Sequence, residues 1–232
     1  MTKLAVVTLT SRQRPKWFEQ CRQSVLEALP ENAEHVVVFC PRPSMVESAR
    51  WESLSLADYV AFVDDDDLVI NNSLNKLLFA LETTNCGIAF TDEQRIDETG
   101  NIVCLEPVRK RVSYNDVAIS VLGCHHLAML KTAAVPKHLW QVALEFGGGI
   151  EWLIKASTAL TNGAVRLPMQ GYQWRQHSKA LHLTEAWKTP FVKALPQVHR
   201  FLKSYQPTQQ EIPVFDLSRN VYEMEASKCQ IR

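Results

Sequence analysis

The sequence predicts an α/β protein with a mostly parallel, doubly wound sheet flanked by helices and a short extra β region in its second half. Short apolar and β-branched runs alternate with segments whose apolar residues recur at helical spacing, which is typical of βαβ units. These runs are apolar throughout, as expected for strands that are buried on both faces of a sheet. The length of 232 residues and the 46% of hydrophobic residues suffice for one domain with its own core.

The first half of the chain alternates predicted strands with predicted helices. Strands are predicted over four apolar runs, at 4–8, 35–39, 59–63 and 87–90. Pro15 suits the first turn of a helix and Pro30 ends it, because proline has no N–H to donate within a helix. A second helix is predicted over 44–54, and a third follows the capping residues 71–73.

The second half is less regular and holds the extra β region. Residues 97–100 form a predicted turn between short extended pieces, and strands are predicted near 125–130 and 165–168. Glycines 147–149 open a helix that runs from Ile150 to about Leu160, and a last helix is predicted over 185–205. We predict one domain over 1–205 and a C-terminal tail over 206–232, because the tail lacks strong periodicity.

Composition and charge exclude several classes of protein. Lys+Arg and Asp+Glu number 25 each, so the formal net charge is zero, which argues against a protein that mainly grips a nucleic-acid backbone. No apolar run approaches the roughly 18–20 residues of a membrane span, and the start of the chain does not resemble a signal peptide. Six cysteines without a CxxC pair favour reduced thiols. We therefore expect a cytoplasmic location.

Four consecutive aspartates, Asp64–Asp67, directly follow the third predicted strand. In open α/β sheets, ligands bind at the carboxyl ends of the strands. Adjacent carboxylates repel one another unless a cation is present, and Mg²⁺ and Mn²⁺ prefer carboxylate oxygens. Because alternate residues of an extended backbone point the same way, we expect Asp64 to pair with Asp66, and Asp65 with Asp67. The run predicts a divalent-cation site, with a solvated acidic turn as the competing interpretation.

Residues 63–67 resemble the DXD element of GT-A glycosyltransferases, in particular those of family 2. Four more stretches resemble motifs of that family and occur in its order: the nucleotide-binding loop over 8–15, a TDE..ID..G stretch over 90–100, an acidic residue at a helix start over 148–152, and a late RxH segment over 174–178. The resemblance spans about residues 4–185. It implies a GT-A (Rossmann-like) fold, with a nucleotide-binding half over about 1–105 and an acceptor half over about 106–205.

The resemblance also implies an activity and a set of site residues. The reaction would be the metal-dependent transfer of a sugar from a nucleotide diphosphate-sugar to an acceptor hydroxyl, with inversion at the anomeric carbon. Asp66, Asp64 and His177 would bind Mn²⁺ or Mg²⁺, and Glu151 would be the general base. The residues assigned to binding the nucleotide-sugar are Thr8, Thr10, Arg14, Asp64 and Asp65.

Several points stay open. Many family members carry an Asp after the second strand that contacts the nucleotide base, whereas this chain has Phe39-Cys40-Pro41, so the base is not predicted. If Glu151 is not the general base, Asp67 and Asp92 are the next candidates. Alternative functions are a sugar nucleotidyltransferase, although residues 8–14 contain no glycine for a phosphate loop, a glycosyltransferase acting on modified DNA bases, and a non-catalytic GT-A-like binding module.

Some residues have two interpretations. His125 and His126 fit either the core or an acceptor pocket, since no second pair of ligands lies at metal-binding spacing. Trp152 and Trp174 fit either an acceptor face or the core. We also expect residues 168–185 to form a mobile lid over the donor.

Overall fold

A computed structural model describes residues 3–42, 45–104, 112–119, 124–139, 141, 149–178, 193, 196–205 and 211–218. The strands are β1 (Leu4–Thr10), β2 (Ala33–Phe39), β3 (Tyr59–Asp64), β4 (Leu68–Val69), β5 (Ile88–Ile96), β6 (Ile102–Cys104), β7 (Ala128–Lys131) and β8 (Ala164–Arg175). The helices are α1 (Pro15–Ala28), α2 (Val46–Ser53), α3 (Ser73–Thr83), α4 (Tyr114–Ile119) and α5 (Ile150–Asn162), with a 3₁₀ turn over Thr132–Ala134. Among these described helices, none is both long enough and apolar enough to cross a membrane.

The strands form one mixed sheet in the order β2-β1-β3-β7-β5-β8-β4, with β6 paired to β5. β1 pairs in parallel with β2 and β3, and β8 pairs in parallel with β5. β7 is antiparallel to both β3 and β5 and joins the two parallel groups. The carboxyl ends of β1, β3, β5 and β8 therefore meet at one edge of the sheet, which confirms the predicted mostly parallel α/β fold.

Two apolar cores cover the two faces of the sheet. On one face, α1 and α3 pack through residues such as Val25, Leu74 and Leu77, which are fully buried. On the other face, α4 and α5 pack through residues such as Val117 and Ile154. The leucines at 74, 77, 78 and 81 all lie in the first core, as their helical spacing predicts.

Three predicted elements differ from the structure. β2 lies at the sheet edge and leaves Val37 and Phe39 39% and 51% exposed, so the prediction that the strands are buried on both faces is wrong for β2. β8 does not stop near residue 168 but continues to Arg175 between β5 and β4. Residues 168–175 of the expected lid are therefore a strand of the sheet. The remainder of that segment after residue 178 lies outside the described residues.

Gly171 allows β8 to lie directly against β5. A Cβ atom at this position would lie 2.3 Å from the Thr91 hydroxyl and 2.7 Å from the Thr91 Cβ. The pairing of β5 with β8 also shifts register here, since Phe90 pairs with Arg166 and Asp92 with Gln170. A glycine is therefore needed at residue 171, where β8 carries extra residues relative to β5.

The described part of the predicted tail packs on the domain. Ile212 and Phe215 are buried, and the Phe215 ring meets that of Phe79 edge to face at 5.8 Å. Phe215 N–H also donates to the Arg166 carbonyl at 2.8 Å. Residues 196–202 are helical, and most of the preceding part of the helix predicted over 185–205 lies outside the described residues, as does 219–232. The division at residue 205 stays a prediction.

Candidate active site

The aspartate run lies where β3 leaves the sheet. β3 ends at Asp64, and the Asp67 N–H donates to the Asp64 carbonyl at 3.2 Å, so the chain turns over these residues. The alternation of an extended strand ends at this turn. Consequently, the four carboxylates point to different partners, and the predicted pairing of Asp64 with Asp66 and of Asp65 with Asp67 is wrong.

Asp65 and Asp66 share one cation. Arg14 Nη2 donates to Asp65 Oδ1 at 2.6 Å, and Arg14 Nη1 donates to Asp66 Oδ2. Asp66 Oδ2 also lies 2.7 Å from His177 Nε2, which is itself 3.1 Å from Arg14 Nη1. We call these four residues, Arg14, Asp65, Asp66 and His177, the Arg14 cluster. It joins the loop after β1, the turn after β3 and the segment after β8, as the resemblance predicts.

Asp67 has a structural role. Its Oδ2 accepts a hydrogen bond from the Tyr172 hydroxyl at 2.9 Å, and its Oδ1 accepts one from the Arg175 N–H at 2.7 Å. Burial, with the neighbouring charges of Asp66 and Asp64, raises its pKa well above the usual range. Both oxygens are therefore bonded to β8, and Asp67 is only 1% exposed.

Asp92, the other fallback base, also has a structural role. Both of its oxygens accept hydrogen bonds from the Arg166 guanidinium, at 3.0 and 2.6 Å, and the two side chains are buried. This bidentate pair joins β5 to β8 and gives Asp92 a structural role.

Glu151 lies in a second group of charges. Arg50 Nη2 lies 2.6 Å from Glu151 Oε2, and Lys155 Nζ lies 2.5 Å from Glu151 Oε1. Arg50 Nη2 also lies 3.3 Å from Asp64 Oδ1, and His126 Nε2 lies 3.6 Å from Asp64 Oδ2. We call Glu151, Arg50, Lys155, His126 and Asp64 the Glu151 cluster.

The two carboxylates of the Glu151 cluster have opposite pKa shifts. Burial acts to raise the pKa of Glu151, but Arg50 and Lys155 outweigh it and hold the pKa well below its usual range. Burial, opposed by Arg50 and reinforced by the charges of Glu151 and Asp66, raises the pKa of Asp64 to about 6. Burial also holds the pKa of His126 well below its usual range, so this imidazole is neutral. Glu151 is therefore firmly ionised near pH 7, and its proton affinity is low.

Helix α2 holds the start of α5 in place. Gly149, at φ +77°, precedes α5, and no side chain of its own caps that helix. Instead, the Glu47 carboxylate accepts hydrogen bonds from the N–H groups of Gly149 at 3.3 Å and Ile150 at 2.9 Å. A carboxylate is favoured at a helix N-terminus. Two residues of α2 therefore position Glu151. Glu47 holds the backbone that precedes it, and Arg50 pairs with its side chain.

The two threonines assigned to the donor are inside the protein. Thr8 has no exposed surface, and its hydroxyl lies 3.0 Å from His35 Nε2. Its side chain is therefore engaged inside the protein, and the assignment of Thr8 to the donor stays a prediction. Thr10 is also buried and donates from its hydroxyl to Asp65 Oδ2 at 2.6 Å. Thr10 therefore orients Asp65, and its own assignment to the donor stays a prediction.

The candidate acceptor residues divide into two groups. Trp152 is buried in the core and donates from Nε1 to the Val117 carbonyl at 3.1 Å. By contrast, Trp174 and His125 are partly exposed, and their rings lie 6.0 Å apart. His125 Nδ1 lies 3.1 Å from Glu93 Oε2. The partly exposed pair suits an acceptor face, and Trp152 does not.

The residues present fit a divalent cation that also binds substrate phosphates. Among the described residues, no group of three or more His, Cys, Asp or Glu side chains has the arrangement of a metal cage. Mg²⁺ and Mn²⁺, however, commonly use one or two protein ligands and complete their coordination with phosphates and water. Asp66 Oδ2 and His177 Nε2, 2.7 Å apart, could supply two such ligands. Asp64 turns toward Arg50 and His126 instead.

Sequence reasoning missed the residues that hold the site together. Lys155 follows Glu151 by four positions on α5, a spacing that predicts a contact on one helix face. Arg50 and Glu47 lie on a different helix and Tyr172 on a distant strand, so no local pattern reveals them. Arg175 belongs to the RxH segment, but its contact with the aspartate turn is not predicted. Arg175 is buried and donates from Nε to the Asp66 carbonyl at 2.7 Å.

Comparison with known proteins gives a structural likeness only. No protein-family model matches the chain, and no curated protein matches it by sequence. Among solved structures, S. aureus TarS 1–349 in complex with UDP-GlcNAc is similar, with a TM-score of 0.60 and 15% identity over 88% of this chain and 66% of that one. GalNAc-T7 with UDP, GalNAc and Mn²⁺ gives a TM-score of 0.57 and 10% identity over 84% of this chain and 48% of that one.

These similarities define the class of fold. The protein has the GT-A glycosyltransferase fold, as the sequence motifs predict. At 10–15% identity the likeness extends to the fold and not to activity. The chain also spans only 60–66% of the length of the TarS 1–349 structures that it resembles.

Proposed function

We propose that the protein transfers a sugar from a nucleotide diphosphate-sugar to an acceptor hydroxyl, with Mn²⁺ or Mg²⁺ bound at the Arg14 cluster. The observation that carries this proposal is the contact of Asp66 with His177 at 2.7 Å. These residues are 111 positions apart, and the fold brings them together at the carboxyl edge of the sheet, where α/β proteins bind ligands. UDP or UDP-GlcNAc bound to structural neighbours supports a donor of this class.

In the proposed site, Asp66 and His177 hold the cation, and Arg14 contacts the diphosphate. When bound there, a divalent cation would supply Lewis-acid stabilisation of the negative charge on the departing diphosphate. Asp64 is partly exposed, at 43% of its side chain, and is the proposed contact for the ribose or for a bound water. In this proposal Asp65 does not contact the donor. It positions Arg14 by accepting the hydrogen bond from Arg14 Nη2.

Glu151 remains the proposed general base. Its lowered pKa means that it holds a proton weakly. Proton transfer to Glu151 is therefore favourable only late in the reaction, when the bond from the acceptor oxygen to the anomeric carbon has made the hydroxyl acidic. Attack from this side in a single displacement gives inversion. Because the pKa of Glu151 is lowered, Glu151 stays ionised between pH 5 and 8, and its titration should not change the rate in that range.

The acceptor is proposed from the partly exposed ring surface of Trp174 and His125. Aromatic faces suit the C–H surfaces of sugars, so a glycan or a small hydroxylated molecule is the proposed acceptor class. Arg95 lies over the Trp174 ring at 5.4 Å. A cytoplasmic location remains a prediction.

The test begins with donor binding. Thermal unfolding is measured with UDP, GDP, CDP and dTDP, each with and without MnCl₂, because a ligand that binds the native state raises the melting temperature. Sugar nucleotides of the stabilising base are then assayed for transfer and for hydrolysis. A parent protein that binds donor but turns over none of it would indicate a non-catalytic binding module.

Asp66→Asn is the decisive variant, and Glu98→Gln is the matched control. Asp66→Asn should lower metal-dependent turnover by at least about 100-fold, since changing even an outer-shell partner of a metal ligand costs about 10–100-fold. Glu98 lies in an exposed turn at the same edge of the sheet, so its variant should match the parent. Full turnover by Asp66→Asn in EDTA would refute the metal-dependent mechanism.

A further inference from the structure

We propose that Arg14 is an internal cation of the metal site, which must leave Asp66 and His177 before a divalent ion can bind. The donor diphosphate would receive the displaced guanidinium, so that metal and nucleotide diphosphate bind cooperatively. The proposal deepens the proposed function and rests on it for the identity of the ligands.

Arg14 occupies the space that a cation needs. Its Nη1 contacts Asp66 Oδ2 and lies 3.1 Å from His177 Nε2. Those two proposed ligand atoms are only 2.7 Å apart. A metal ion bonds oxygen and nitrogen at about 2.0–2.2 Å. An ion bound to these two atoms on the side where Nη1 lies would overlap with it, so metal and guanidinium cannot occupy this position together.

Charge balance explains why Arg14 stays there without a metal. Two carboxylates, Asp65 and Asp66, contact the single Arg14 guanidinium, and their side chains are only 5% and 13% exposed. Carboxylates with so little water around them need a counter-ion. A divalent ion binding alone would gain two ligands but would separate Arg14 from Asp66. This opposing cost weakens the affinity for metal alone.

A diphosphate removes that cost. Arginine binds phosphate oxygens through two parallel hydrogen bonds, as it binds carboxylates. A diphosphate that accepts Arg14 frees Asp66 and His177 for the metal, and its own oxygens become metal ligands. Thermodynamic linkage requires the effect to be reciprocal, so UDP should raise Mn²⁺ affinity by the same factor as Mn²⁺ raises UDP affinity.

The test measures Mn²⁺ binding by electron paramagnetic resonance, first with Mn²⁺ alone and then with UDP. For Arg14→Gln, we expect Mn²⁺ alone to bind at least about tenfold more tightly than to the parent. UDP should then raise Mn²⁺ affinity by less than about threefold, below the roughly 5–150-fold that is usual for coupled sites. The parent should show at least about tenfold coupling. Arg12→Gln is the control, because Arg12 belongs to the same loop but lies over the Phe39 ring at 5.4 Å.

The outcomes separate this proposal from the proposed function. If Arg14→Gln binds Mn²⁺ alone no more tightly than the parent or Arg12→Gln, the internal-cation proposal is wrong, whatever the activity. If UDP does not bind to any form but Arg14→Gln still binds Mn²⁺ more tightly, the donor is wrong and the internal cation stands. Should Arg14→Gln not fold, Arg14→Lys replaces it, since one ammonium cannot make all three contacts and should also admit Mn²⁺ more readily.

Discussion

The Arg14 cluster and the Glu151 cluster lie at the same edge of the sheet but balance their charges differently. In the Glu151 cluster, two carboxylates face two cations, Arg50 and Lys155, and His126 is neutral. In the Arg14 cluster, two carboxylates face one guanidinium. The charges of the Glu151 cluster balance without a ligand, whereas the Arg14 cluster retains negative charge that a metal ion can neutralise. A charged site can thus be built either to hold one geometry or to exchange a cation.

The comparison predicts how stability responds to the loss of one carboxylate from each cluster, beginning with the largest effect. Glu151→Gln leaves Arg50 and Lys155 without their shared partner, and their side chains are only 13% and 3% exposed. Breaking a buried ion pair in this way costs about 3–5 kcal/mol, or roughly 6–15 °C in melting temperature for a domain of this size. Turnover should fall by about 10²–10⁴ with donor binding retained.

Thermal unfolding and steady-state kinetics check both parts of this prediction. A Glu151→Gln variant as stable as the parent would show that the cluster is not a fixed charge pair. One that is destabilised but turns over within about fivefold of the parent, well under the loss for a general base, would show that the base lies elsewhere.

The helix cap from α2 should have the next largest effect. Glu47→Ala removes the acceptor for the Gly149 and Ile150 N–H groups, and loss of a cap costs about 1 kcal/mol. The rate should fall as well, because the start of α5 sets the position of Glu151. Urea unfolding measures the free-energy change. Glu52→Ala, an exposed change on the same helix, is the control, and equal losses for both variants would contradict a specific cap.

Asp64 should show a pH-dependent effect of the opposite sign. Because its pKa is raised to about 6 in the folded protein, its ionised form costs stability, and this cost grows as the pH rises from about 4 to about 6. Asp64→Asn in EDTA should therefore be more stable than the parent at pH 8 by about 1 kcal/mol, a value reduced for the exposed part of the side chain. The gain should be smaller at pH 5. A gain that is independent of pH would exclude Asp64 ionisation as its cause.

The smallest effect on stability is expected at Asp66. Asp66→Asn removes one of two carboxylates that share Arg14, and Asp65 still pairs with the guanidinium. The free energy of unfolding in EDTA should change by less than about 1.5 kcal/mol, the net value of one hydrogen bond, although activity is lost. Destabilisation as large as that of Glu151→Gln would mean that the two clusters do not differ in the way their charges indicate.

The sequence predicts the fold well because burial patterns are local. The apolar runs, the spacing of the leucines in α3 and the start of α5 at Ile150 can each be recognised within a short stretch of sequence. The exposed edge strand β2 is not predicted, because its place at the end of the sheet depends on which strands pair with it. The length of β8 is not predicted either, since its later residues mix polar and apolar side chains without a clear alternation and find partners on β5 and β4.

The site is predicted only in part, for a related reason. Motif order brings Arg14, Asp66 and His177 together correctly, but the direction of each aspartate depends on a turn that sequence alternation cannot describe. Asp67 was therefore expected to pair with Asp65, although Tyr172 and Arg175 hold it. Arg50 was missed because an isolated arginine on a short helix has no signature. Only the packing of α2 near α5 shows that it faces two carboxylates.

Gly171 shows how a residue without charge can govern an electrostatic site. The strand that follows it carries Tyr172 and Arg175, which hold Asp67 and the backbone of Asp66. A single methyl group at residue 171 would press on Thr91 at 2.3–2.7 Å and act as a wedge between β8 and β5. The wedge would tilt the strand and misalign the turn of aspartates. The geometry of the aspartate turn therefore depends on residue 171 having only a hydrogen atom in place of a side chain.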